Sequence, residues 1–376
     1  MIFIIGVTIA FFLEFLLISK KGKTKADILL AVWMFFIGLH LFFFYLQFSN
    51  LSYTYPISIG LIIPLPLVHG PFLYLYVSTL TNQKPRNTFF QYIHFFPPFL
   101  MYLYLVNLYI LPASEKIAIL KSGGAGYQLF GNINLILIFF SGIIYVTWTQ
   151  ILLLRHRKNI RERFSNIDKI NLNWLQYLVW GIGFIWVVVL SANLIFSELL
   201  KTIGFNADIF IYTTVVMFVC FLGFFGLKQT SVFVAQSKEL QQLQEKQPLV
   251  PTEKYSKSGL KSDDAEQLHK KLNEYMMREK PYLNSDLSLS KLVEYFNIHP
   301  NYLSQVINEK EQKNFYDYIN TYRIEEFKRM LCDPKNKKLT ILALAFDCGF
   351  KSKSAFNKFF KKSTGQTPSE YIKLIK

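Results

Sequence analysis

The chain has 376 residues, enough for two or three domains. It is 52% apolar and 17% aromatic, too greasy for an ordinary soluble protein, yet it carries a formal charge of +16, so the two characters must be segregated along it. Three cysteines, Cys220, Cys332 and Cys348, have no paired spacing, which argues against a disulfide framework or a zinc site, and no cofactor is expected.

Seven apolar runs, each long enough to cross about 30 Å of hydrocarbon, precede residue 230: 1–19, 28–48, 59–80, 89–111, 131–154, 173–196 and 209–227. The third contains Pro64, Pro66 and Pro71, so a kink or an unwound stretch is expected there. The fourth contains Pro97 and Pro98 and should become helical only after them. The first run has no basic n-region and no small-residue cleavage site. Its lysines, Lys20, Lys21, Lys23 and Lys25, follow it, as for an uncleaved span with its N-terminus outside. Loops 20–27, 81–88 and 155–172 carry 12 basic residues, against three in the alternate loops. Positive charge collects on the cytoplasmic side, so the expected location is multi-pass in the bacterial inner (cytoplasmic) membrane, with the C-terminus in the cytoplasm.

The outer loops are short, so a signal must be met by the spans, by these loops or by the lipid. Polar residues at membrane depth are Glu14, His40, His69, Asn107, Asn132, Asn134 and Asn193. Ionisable groups there face a bundle interior or a water-filled cavity. Glu14 is near enough to Lys20 to snorkel, and interior histidines are more often hydrogen-bonded core residues than ligands. His69 stands beside Gly70 and Pro71 in the proline-broken run, where freed carbonyls can serve a ligand. His69, His40 and Asn193 form the expected sensing pocket, for a small-molecule or membrane-derived signal. No two-His zinc spacing, phosphate loop or nucleophile elbow occurs in the runs, and SGGAG at 122–126 reads as a turn. No catalytic or metal residue is assigned, and an enzyme is not expected.

Residues 229–262 shift to Gln, Lys, Glu and Ser. Phe233, Leu240 and Leu243 have roughly heptad spacing, and Pro248 and Pro251 end it, so a short helical connector followed by a polar linker is expected.

Beyond it, Ile341, Leu344, Ala345 and Cys348 recur at helical steps, and Gly349 then offers the positive φ of a helix end. Ser352 or Ser354 can cap a second helix whose apolar face is Phe356, Phe359 and Phe360. Its opposite face is Lys353, Asn357, Lys358, Lys361 and Lys362. The same spacing occurs upstream: Leu289, Leu292, Val293, Phe296, Asn297 and Ile298, then Leu303, Val306 and Ile307. Asn297 stands where Gly349 stands, and Asn is the next most tolerant residue there. A long helix is predicted between the two pairs, over 314–331. Residues 335–376 hold ten lysines against Asp347 and Glu370, so the second pair should supply most of the attraction for phosphate.

With NFYDYINTYRIEEFKRML at 314–331 and GFKSKSAFNKFFKKSTGQTPSEY at 349–371, the last ~115 residues resemble the DNA-binding domain of AraC/XylS-type transcription regulators. The resemblance implies two helix-turn-helix units whose recognition helices enter successive major grooves of double-stranded DNA. The family's base-reading positions fall on Asn301, Ser304 and Gln305 in the first, and on Lys353, Ser354, Asn357 and Lys358 in the second. Lys351, Lys361 and Lys362 are assigned to phosphate. The first recognition helix carries no Arg or Lys at its base-reading positions, a departure from the family pattern.

The expected fold class is all-α, a seven-transmembrane helical bundle followed by a cytoplasmic all-α domain with two helix-turn-helix units. The expected boundaries are 1–228 for the sensor, 229–262 for the connector and 263–376 for the DNA-binding domain. The expected partners are double-stranded DNA, the lipid bilayer, the signal and a second copy in a homodimer. The reading is a one-component regulator. The alternative is a membrane transporter or enzyme whose cytoplasmic domain binds a protein or controls its own expression.

Overall fold

A computed structural model describes residues 1–83, 89–168, 170–192, 202, 206–225 and 262–375. Among these residues every regular element is helical, and the one extended pairing is a single antiparallel bridge between Phe164 and Ser288. The chain divides into two compact units, Met1–Leu154 with Leu172–Ala235, and Arg155–Asn171 with Gln236–Lys376. The connector expected over 229–262 lies outside the described residues, apart from Ser262.

In the first unit, α1 (Ile2–Ser19) and α2 (Lys25–Phe48) form an antiparallel hairpin. Phe3 meets Phe44 and Phe48 edge-on, while Phe11 meets Phe35. Helix α2 starts at a reciprocal cap: the Thr24 hydroxyl accepts from the Asp27 amide, and the Asp27 carboxylate accepts from the Thr24 amide. Such a box satisfies two amide groups that have no partner within the helix. Lys20 pairs with the same carboxylate at 3.0 Å.

The third run is broken as its prolines predict. It is helical only from Pro66, in α3 (Pro66–Leu80). Its freed carbonyls are taken from neighbouring segments: Tyr102 donates to Leu61, Tyr109 to Gly60 and the Asn134 amide to Ile63. Carbonyls shielded from water need such partners. Asn134 is thus engaged in structure. The fourth run is also broken. Contrary to expectation, its helical structure is not confined to the stretch after its prolines. Short helical turns at Phe89–Tyr92 and Ile93–Phe95 precede α4 (Phe96–Tyr104). The first turn of α4 holds both prolines because no helical N–H partner is lost there, and Val106–Ile110 follows the break at Leu105.

Helices α5 (Gln128–Arg163), α6 (Asn173–Leu190) and α7 (Ala207–Phe225) follow. Among the described residues, α1, α2, α5, α6 and α7 are the five helices long and apolar enough to cross a membrane. Trp33, Leu41, Leu73, Leu175, Leu178 and Val219 are fully buried in the core of this unit.

The second unit contains α8 (Ser262–Glu279), α9 (Leu289–Phe296), α10 (Pro300–Glu311), α11 (Phe315–Cys332), α12 (Ile341–Asp347), α13 (Lys353–Thr364) and α14 (Pro368–Ile375). Helix α11 matches the predicted 314–331 and is capped by the Asn314 side chain, which accepts from the Asp317 amide. Two cores flank it. One gathers Leu272, Met276, Leu292, Leu303, Ile307 and Tyr318, the other Phe327, Leu344, Ala345, Phe356 and Phe360.

On α11, Glu326 is gripped by Arg329 and by Lys280 at 3.1 Å. The Arg329 hydrogen bond, with Lys280 behind it, holds this carboxyl below its ordinary value of 4.5. A lowered carboxyl pKa stabilises the fold above the unfolded value, and that stability is lost as pH falls through the folded value. Glu326→Gln should therefore melt below the parent at neutral pH. The gap should close once pH drops well under about 4.5, as followed by circular dichroism.

Candidate nucleic-acid interface

The two outward helices of the second unit are each set by a corner. Helix α9 ends at Asn297, whose φ of 49° and ψ of 49° are left-handed. The chain then turns through His299, whose ring nitrogen accepts from the Asn301 amide, and enters α10 with Pro300 in its first turn. Pro fits there because its missing N–H would have no helical partner. Helix α12 starts at Thr340, whose hydroxyl accepts from the Ala343 amide, and is followed by Gly349 at φ 92°. Ser352 then caps α13 by accepting from Ala355, and Gly365 closes it in the left-handed region. Both corners stand at the residues the apolar spacing singled out.

Leu303, Val306 and Ile307 anchor α10 to the core, leaving Asn301, Ser304, Gln305 and Asn308 to the other side. Asn301 and Ser304 are partly exposed. Gln305 is only 7% exposed, and its amide donates to Glu309 at 3.0 Å, one turn on. To meet a base it must leave Glu309. Phe356, Phe359 and Phe360 anchor α13, and Lys353, Ser354, Lys358, Lys361 and Lys362 are exposed along its outer side, with Asn357 partly so. Lys353 and Asn357 also line a groove of about 670 Å³ with Thr340, Ile341 and Pro368. Of the residues assigned to phosphate, Lys362 lies 2.9 Å from Asp317 and over the Phe359 ring, and Lys351 pairs with Asp286. Such surface pairs are weak and exchange readily.

The residue that holds this unit together was not singled out by spacing. Arg323 on α11 is 1% exposed. Its five N–H groups meet five acceptors: Tyr282 O, Asn284 O, Ser165 O, Ser165 Oγ and Asn320 Oδ1, at 2.8–3.2 Å. Burial lowers its pKa to about 10, so it stays charged at neutral pH. The signal available in sequence was a lone Arg on the inner face of a long amphipathic helix, which spacing alone reads as surface charge.

Residues 292–373 match the family model described as a helix-turn-helix domain. The chain is 38% identical over 90 residues to the HTH-type transcriptional regulator YobQ of Bacillus subtilis (strain 168). That match covers 24% of this chain and 36% of YobQ. It is 34% identical over 87 residues to the HTH-type transcriptional regulator YijO of Escherichia coli (strain K12), covering 23% of this chain and 30% of YijO. A solved structure of a protein with unknown function from Listeria innocua aligns with 28% of this chain and 94% of its own length, at 28% identity and a TM-score of 0.25. The chain thus spans about a third of the length of these curated relatives, and the helix-turn-helix match leaves residues 1–291 outside it.

In the first unit, two of the three expected pocket residues meet. His40 Nδ1 and His69 Nε2 are 2.9 Å apart, with the rings stacked. Trp33 Nε1 donates to His69 Nδ1 at 3.4 Å, and His40 Nε2 lies 3.0 Å from the Tyr212 hydroxyl. A four-residue polar row therefore runs through an aromatic interior, where Tyr212 stacks on Phe44. Trp33 and Tyr212 were missed because both read as ordinary span residues. Asn193 lies outside the described residues.

Proposed function

We propose that this chain is a membrane-integral transcription regulator, in which a seven-span unit meets a signal and two helix-turn-helix units bind promoter DNA. The observation that carries the reading is one polypeptide holding both span-length apolar helices and a helix-turn-helix match with an outward basic face on α13. Five helices meet the length and composition of a span. The two proline-broken runs, the third with its freed carbonyls met by Tyr102, Tyr109 and Asn134, would complete seven.

The orientation has its own support. Segment 155–171, rich in Arg and Lys, shares hydrogen bonds with α11. These bonds support the reading that the basic segment and the C-terminal helices share one side of the bilayer, as positive-inside charge requires. In this reading Asn301, Ser304, Lys353, Asn357 and Lys358 face base edges, and Lys361 with its neighbours faces phosphate. A signal acting at the His40–His69 row would shift the balance between two states of the chain, as a monomer or as a homodimer.

The test is a selection from a random-sequence duplex pool, followed by binding of variants. Asn357→Ala should cost about 1–3 kcal/mol and relax preference at one base pair. Lys361→Ala should weaken all sequences alike and flatten the salt dependence. Binding without sequence preference, or its absence in the parent, would reject the reading. For sensing, His69→Ala should abolish signal-dependent transcription while leaving DNA affinity intact; unchanged induction would remove the row from the mechanism.

A further inference from the structure

The last turns of α5 from Arg155 and the turn that follows them, residues 155–171, belong to the same compact unit as the C-terminal helices, and they reach both α10 and α13. This segment is closed at its base by His156 Nε2, which donates to the Ile170 carbonyl at 2.9 Å. In its middle, Ser165 is 1% exposed. Its hydroxyl donates to Leu287 O at 2.6 Å, and its carbonyl accepts from Arg323 and Asn320. The Phe164–Ser288 bridge lies beside it.

Two carboxylates flank this anchor. Glu162 accepts from the Asn308 amide at 3.2 Å. Asn308 stands four and seven residues after Ser304 and Asn301, hence on the same face of α10, and its amide also donates to Ser304 O at 2.8 Å. Asp168 accepts from the hydroxyl of Ser352, the cap of α13. A helix start presents unpaired N–H groups and a positive dipole end, which suit an anion such as a DNA phosphate. The segment carries six basic residues, yet its two acids are the groups bonded to Asn308 and Ser352.

We propose that segment 155–171 is an internal competitor of DNA: Glu162 and Asp168 occupy positions on α10 and α13 that a duplex would take, and the segment must leave before the duplex can bind. This rests on the DNA-binding reading above. The segment contains the last turns of α5 and leads into α6, so a change in those helices would bias its release. Binding to DNA and docking of the segment are then reciprocal.

The test uses the full chain in detergent micelles with Cys220→Ser and Cys332→Ser, adding Phe164→Cys and Ser288→Cys. Facing positions of an antiparallel pair lie within disulfide reach. The probe is duplex enriched from a random-sequence pool by the reduced protein. We expect the disulfide to form in high yield, to lower duplex affinity by about tenfold or more, and to release that loss on reduction. In the chain without added cysteines, Glu162→Gln with Asp168→Asn should raise affinity more than Asp263→Asn with Asp264→Asn, which removes equal charge from α8. Failure of the disulfide to form would overturn docking. Equal affinity of locked and reduced protein, or equal gain in the two double variants, would overturn competition. If no duplex is enriched, the DNA-binding reading itself fails, while disulfide yield still reports whether the segment docks.

Discussion

Gly349→Ala should be the most damaging single-atom change in the second unit. At φ 92° an added Cβ is strained wherever it stands, and here it would lie 2.5 Å from Tyr282 O, 2.8 Å from Leu283 O and 2.9 Å from Arg323 Nε. Two of those neighbours are backbone, so the corner between α12 and α13 has to open. The left-handed conformation costs about 1 kcal/mol, and displacing packed backbone adds about 1–3 kcal/mol more. Gly365 provides the control, because it is left-handed at φ 78° with nothing within 4 Å of an added Cβ. Gly365→Ala should therefore show the conformational cost alone. Hydrogen exchange of amides across α11–α13 in the full chain reads both. Gly349→Ala should speed exchange roughly a hundredfold and Gly365→Ala roughly fivefold. Equal effects would mean that the close approach at Gly349 is relieved without cost.

Arg323→Leu should be comparably severe for a different reason. It removes a buried guanidinium and leaves Tyr282 O without the donor that meets it, while Asn284 O keeps only the Leu287 amide. Each unsatisfied buried carbonyl costs about 1–3 kcal/mol, and breaking one side of a buried charged network costs about 3–5 kcal/mol in total. Arg323→Lys should recover little, because an ammonium on a flexible stem cannot reproduce a planar fork that serves two sides at once. Exchange should rise across α11 and also across residues 160–168, which the same guanidinium holds. If only α11 responded, the Ser165 contacts would be contributing nothing.

What could be read from sequence was local. Asn297, Gly349, Thr340 and Ser352 mark helix ends through their own side-chain chemistry, and the helices begin and stop there. Pro64 and Pro66 announced the broken third run for the same reason, since proline removes a donor wherever it occurs. The seat of segment 155–171 had no such local mark. Ser165 and Arg323 are 158 residues apart, and six basic residues in the segment pointed only to a side of the membrane. Gln305 shows the limit at short range: its spacing put it outward, yet a carboxylate one turn away captured its amide. The His40–His69 contact joins two residues that composition nominated separately, and no pattern in the chain tied them together.

The row from Trp33 to Tyr212 has a direction. An indole nitrogen can only give its proton, so His69 must receive at Nδ1 and, when neutral, give at Nε2. His40 then receives from His69 and gives to the Tyr212 oxygen. The phenol at the far end keeps its own hydrogen to offer onward. The row is a one-way street, and a guest arriving at that end would be greeted by a hydrogen looking for a lone pair.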